Sequence, residues 1–166
     1  MSNEFAKAGL SDILDGLAQQ LQDITRLQRE RAALTASATT AGKRVTVTVN
    51  ADGTVIETRF ASDIADLDYM EIAKAVTEAA QRAAADVARR SRELMAPLEQ
   101  NRRRLPKLAD LVPGMPDLSK EMVPPEPPVV STAPPNAPER LAAQRDLQAE
   151  GADPDVRRGA AIDSGW

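Results

Sequence analysis

The chain has 166 residues, 42% of them hydrophobic but only 2% aromatic, with 21 Lys and Arg against 25 Asp and Glu and a net charge of −4. Much of the apolar content is alanine, which buries little area, and this argues against a large globular core and for small helical units or an oligomer. There is no cysteine and no histidine, which removes thiolate nucleophiles, imidazole bases, disulfides and Cys/His metal centres.

Charge and proline divide the chain in the same place. Residues 1–111 carry 16 basic and 16 acidic residues, while 112–166 carry 5 and 9, so the negative charge belongs to the C-terminal part. All 12 prolines lie at Pro97 or later. The opening "MSNEFAKAGLSDILDG" has early acids and no continuous apolar run, and reads as neither a signal peptide nor a membrane anchor. No stretch approaches the roughly 18 apolar residues of a spanning helix.

The first predicted element is a helix from Asn3 to Arg31. Leu10, Leu14, Leu17, Leu21 and Ile24 follow a 4-3-4-3 spacing, a coiled-coil-like seam, and the next seam positions are Gln28 and Arg31. Gly9 and Gly16 weaken this helix by about 1 kcal/mol each relative to alanine, so the stripe needs a partner, either the second helix or a second copy. Next come three strands. "LTASATTAG" alternates weakly and suits a small-residue strand. Val45, Val47 and Val49 form an apolar face with Thr46 and Thr48 opposite, and "NADG" supplies a tight turn in which Gly53 can take positive φ. Ile56, Thr58 and Phe60 continue the valine face, with Glu57 and Arg59 outside. A three-stranded meander is expected because a lone hairpin is marginal.

The second helix is expected to begin near Asp68, which has capping-box spacing to Glu71. Ile72, Ala73, Val76, Ala79, Ala80, Ala83, Ala84 and Val87 mark a small apolar face that allows a close approach to the sheet. Asp63 and Asp66 read as further caps and partners of the helix dipole. The helix runs to about Met95, where Pro97 should kink or restart it, and Leu98–Leu111 suits a further short helix bent at Pro106. From Val112 onward, proline and the lack of periodicity predict a largely disordered tail, with Pro138–Glu150 as one short, marginal helix. The fold class is therefore α+β in the order α-β-β-β-α. The expected divisions are an α/β domain over 1–97, a basic helical extension over 98–111 and a Pro-rich acidic tail over 112–166.

Catalysis is not expected. No nucleophile–base set can be assembled, no G-x-G cluster precedes the tail, and no Asp/Glu group has metal-loop spacing. Arginine placement stands out instead. Arg82, Arg89, Arg90, Arg92, Arg102, Arg103, Arg104 and Lys107 are opposed only by Asp86, Glu93 and Glu99. Arg26, Arg29 and Arg31 end the first helix, and Lys43 and Arg44 open the second strand. Guanidinium forks suit phosphate oxygens, although the same residues also suit a solvated helix face. With no aromatic stacking platform, a single-strand binder is disfavoured.

The helix "LAQQLQDITRLQRE", the hairpin "VTVTVNADGTVIETRF" and the acidic loop into "ASDIADLDYMEIAKAVTEAAQRA" together resemble the YbaB/EbfC family of bacterial nucleoid-associated DNA-binding proteins, over roughly Leu10–Met95. The resemblance implies an α-β-β-β-α homodimer built through the sheets, with helical arms that bind double-stranded DNA with little sequence preference, no enzymatic activity and no cofactor. It implies a cytoplasmic, nucleoid-associated location. The family's usual Gly-rich stretch before the second strand is here "ASATTAG", and the acidic Pro-rich tail is extra. Candidate DNA contacts are Arg26, Arg29, Arg31, Lys43, Arg44, Arg82, Arg89, Arg90, Arg92, Arg102, Arg103 and Arg104. Candidate dimer contacts are Leu14, Leu17, Leu21, Val45, Val47, Val49, Ile56 and Phe60. The alternative is a dimeric protein-interaction adaptor or chaperone using the coiled-coil-like arms and the tail, which also offers a site for a protein partner.

Overall fold

The computed structural model describes residues 2–104 and 126–152. Its elements are α1 (Ser2–Ala32), β1 (Thr35–Thr40), β2 (Val45–Asn50), β3 (Val55–Phe60), a 3-10 turn (Ile64–Asp66), α2 (Tyr69–Arg104) and α3 (Pro138–Gly151). The three strands form one antiparallel sheet in the order β1-β2-β3, so the α-β-β-β-α layout is the one the sequence predicts.

Turn chemistry fixes the register. Between β1 and β2 the backbone runs through three successive left-handed residues, Ala41, Gly42 and Lys43 at φ 52, 63 and 70°. Glycine takes that conformation freely, whereas Ala41 and Lys43 do so at a cost. Ala41 is held there by packing on the core and by accepting the Arg44 amide at 3.3 Å. Between β2 and β3, the Asn50 carboxamide oxygen accepts the amides of Asp52 and Thr54, each at 3.0 Å, and Gly53 sits at φ +80°. A Cβ at Gly53 would come 3.5 Å from the Cβ of Ala84 on α2. A bulge between Thr48 and Val49 shifts the pairing from Thr48↔Glu57 to Val49↔Val55.

Strand alternation then sorts the sheet's faces. Val45, Val47 and Val49 point to α2 and are fully buried. The opposite face carries hydroxyls, with Ser37 and Thr48 bonded at 2.7 Å and Thr39 and Thr46 at 3.2 Å. On α2 the buried row is Ala75, Ala79, Ala83 and Val87, a strict four-residue spacing. The sequence face centred on Ile72, Ala73 and Val76 is thus rotated: Ala73 is exposed and Ala75 lies inside. Short alanine side chains bring α2 onto β1 and β2, and Thr40 locks the approach by donating to the Ala75 carbonyl at 2.8 Å. β3 lies beyond this cover. Thr58 and Phe60 share the valine face by register, yet both are exposed.

The α2 N-terminus carries the reciprocal capping box: the Glu71 amide donates to Asp68 Oδ1 at 2.8 Å and the Asp68 amide to Glu71 Oε2 at 3.0 Å. At its other end α2 does not restart at Pro97; one helix continues to Arg104. A single proline removes one donor, and the strong helix formers around it (Ala96, Leu98, Glu99, Gln100) keep the rest of the ladder. Of the extension expected over 98–111, residues 98–104 continue α2, and residues 105–111, with Lys107 and the Pro106 bend, lie outside the described residues.

α1 packs on α2 only near its C-terminal end. Ile24 and Leu27 are half-buried, as are Leu94, Met95 and Leu98 of α2, and Arg31 Nε donates to Ser91 Oγ at 2.9 Å. Towards the N-terminus, Leu10, Leu14, Leu17 and Leu21 are 57, 55, 36 and 40% exposed.

Within the C-terminal part, residues 126–137 form an extended strap that leads into α3, and both return to the body. The Ser131 carbonyl accepts Asn50 Nδ2 at 3.1 Å and Arg140 Nη2 at 2.8 Å. Arg140 also donates to the Ala133 carbonyl and is 4% exposed. A marginal 14-residue helix gains a docking surface from these contacts. Residues 112–125 and 153–166 of the predicted tail lie outside the described residues.

Candidate nucleic-acid interface

Four of the candidate arginines are exposed along one flank of α2. At about 100° per residue, Arg82, Arg89, Arg92 and Arg103 fall within about 80° of arc, turned away from the sheet. From Arg82 to Arg103 the row is about 32 Å long, close to the roughly 34 Å of one DNA turn. Arg90 sits off this row, where its Nη1 approaches the Thr35 carbonyl at 3.5 Å. Arg102 and Arg104 lie in the last turn of α2, and only their backbone is described.

Carboxylates on the same helix partner much of this row. Glu78 pairs with Arg82, Asp86 with both Arg89 (2.6 Å) and Arg90 (2.8 Å), and Glu93 with Arg89 (2.9 Å). Hydrogen bonds donated to Asp86 and then to Glu93 raise the Arg89 guanidinium above its usual pKa, so its charge is constant. These pairs stand in water, where salt screens them and partners exchange readily. Among the described residues Arg92 and Arg103 have no ion pair.

The second group is divided among three tasks. Arg26 pairs with Glu30 at 3.1 Å, Arg29 with Glu150 of α3 at 2.7 Å, and Arg31 bonds Ser91 and approaches Asp52 at 3.8 Å. Arg44 donates Nε to Asp63 at 2.9 Å and reaches Asp66 at 3.9 Å. The Asp63 hydrogen bond raises the Arg44 guanidinium, and the same bond holds the Asp63 carboxyl below the usual carboxylate range. This corrects the sequence expectation for the acidic loop. Only Asp68 caps α2, while Asp63 makes no cap bond from its side chain and anchors Arg44. Lys43 stands exposed at the left-handed turn, and no carboxylate pairs with it among the described residues.

Of the candidate dimer contacts, Val45, Val47 and Val49 are covered by α2 of the same chain and are fully buried. They build this chain's own core and present no surface to a second subunit. Leu14, Leu17, Leu21 and Phe60 are exposed and Ile56 is half-buried. Sequence reasoning passed over Val55, 46% exposed on the edge strand; only the bulge, which has no sequence signature here, brings it opposite Val49.

A small α+β module with two long helices and a row of exposed arginines along the second has the make-up of a binding protein. The model of the YbaB/EbfC DNA-binding family matches residues 7–102, more than half of the chain, and the protein belongs to that family. It is a family of DNA-binding, nucleoid-associated proteins. Comparison with curated proteins and with solved structures gives no match. Among the described residues no helix is long and apolar enough to cross a membrane.

Proposed function

We propose that the protein binds double-stranded DNA as a homodimer, mainly through phosphate contacts, and catalyses no reaction. The observation that carries this reading is membership of a DNA-binding family over the α-β-β-β-α body. The arginine row on α2 supports it: guanidinium groups on a rigid helix suit phosphate oxygens, and their same-helix carboxylates, Glu93 exposed and Asp86 half-buried, are partners that a phosphate can replace. Phosphate contacts position a protein on the duplex without reading its bases, so sequence preference is weak. The second subunit meets the exposed α1 leucines and the β3 edge at Ile56 and Phe60. Doubling the arms doubles the contacts. The place of action is the nucleoid, in the cytoplasm.

Titration of a labelled duplex by the full-length protein at several salt concentrations tests this. Log affinity should fall linearly with log salt, by about 0.9 per phosphate engaged. Absence of salt-dependent binding removes the reading. Sedimentation equilibrium tests the dimer, and a monomer at micromolar concentration overturns it.

A further inference from the structure

Three features converge at the C-terminal end of α1. Glu150 holds Arg29 at 2.7 Å. The last residue of α3, Gly151, lies so close to Arg26 that a Cβ there would fall 3.1 Å from its Nη2. The final carbonyls of a helix carry partial negative charge, and α3 ends where these two guanidiniums stand. To the arginines, a carboxylate beside a helix C-terminus offers the chemistry of a phosphate: anionic oxygen set against a guanidinium fork.

The strap fixes α3 in this place. Ser131 is tied by its carbonyl to Asn50, the residue that organises the β2–β3 turn, and to the buried Arg140 of α3. Beside this knot the α1 end, the strap and α3 enclose an open cavity of about 410 Å³, with Ala32, Ala33, Pro128 and Leu147 among its walls. The contact is thus loosely packed. Among the described residues its anchors to the body are one hydrogen bond, from Asn50 to Ser131, and one exposed ion pair, each individually weak.

We propose that residues 126–152 form an intramolecular clasp that occupies Arg26 and Arg29 in place of DNA, and that a duplex engaging those arginines displaces α3. The proposal rests on the DNA-binding reading above. It assigns the C-terminal part a role in setting DNA affinity: the body binds more tightly once the clasp opens.

The test compares the full-length protein with Glu150→Gln and with the double variant Glu150→Gln/Arg140→Met. Each is titrated with a labelled duplex across salt, and hydrogen exchange of the α3 amides is followed with and without DNA. Glu150→Gln should bind about two- to fivefold more tightly, the scale of one exposed ion pair. The double variant should steepen the log–log salt slope by about one to two, or 0.9 per arginine freed. In the unaltered protein, saturation with DNA should speed exchange in α3. Unchanged α3 exchange on saturation, or equal affinity and slope in all three forms, overturns the clasp and leaves DNA binding standing. No salt-dependent binding by any form removes the DNA reading and the clasp with it.

Discussion

The two long helices handle apolar residues in opposite ways. α1 carries the larger side chains, a seam of leucines and isoleucine, and leaves most of them exposed. α2 carries mainly alanine on its inner face and buries Ala75, Ala79 and Ala83 with Val87 against the sheet. Side-chain size therefore does not decide which helix enters the core. Small residues let α2 lie close enough to β1 and β2 for the valines to be sealed. The bulky seam of α1 has no surface within the described chain that fits it beyond Ile24 and Leu27. The lesson is a division of labour in which α2 folds the chain while the seam of α1 stays exposed. In the homodimer proposed above, burying that seam is worth little to the monomer and much to the assembly.

The sharpest way to break this contrast is Ala83→Glu. It forces an unpaired carboxylate into the buried cluster of valines and alanines between α2 and the sheet, at a cost of about 4 kcal/mol or more, and urea denaturation should show loss of the cooperative transition of the body. The matching change on α1, Leu17→Asn/Leu21→Asn, should leave that transition in place. It should weaken dimerisation by about a thousandfold or more, from roughly 1–1.5 kcal/mol for each of the four leucines changed in a homodimer, read by sedimentation equilibrium. If this pair unfolds the monomer, α1 belongs to the core after all. Asp68→Ala removes one half of the capping box of α2 and should cost about 1 kcal/mol in the same urea experiment. The smallest effect concerns the Arg44–Asp63 pair. The folded Asp63 carboxyl lies below its usual range, so the pair stabilises the fold above about pH 4 and this contribution fades as pH falls further. Asp63→Asn should therefore melt slightly lower than the parent near neutral pH, and the two should converge in acid; an equal offset at both pH values would show that the pair does not titrate as described.

Several elements could be read directly from residues. The valine–threonine alternation of β2, the NADG turn and the Asp68/Glu71 box each depend on chemistry within a few positions, and the structure has all three. The inner face of α2 was harder. A run with alanine at 73, 75, 79, 80, 83, 84 and 85 satisfies several helical phases at once, and only the sheet's position selects 75, 79, 83 and 87. Similarly, Asp63 and Asp68 look alike beside a helix start, but just one of them lies where Arg44 reaches it after the chain has crossed the sheet.

By itself the sequence determined the order of elements, the polarity of each strand face and the family to which the body belongs, because these follow from local periodicity, turn residues and pattern. Tertiary structure alone decided that α2 covers β1 and β2 but not β3, that the valines are sealed inside one chain, and that α3 folds back to hold Arg29. Such contacts join residues far apart in the chain, Arg29 with Glu150 and Asn50 with Ser131. No local propensity encodes them; they exist only when packing brings the partners together.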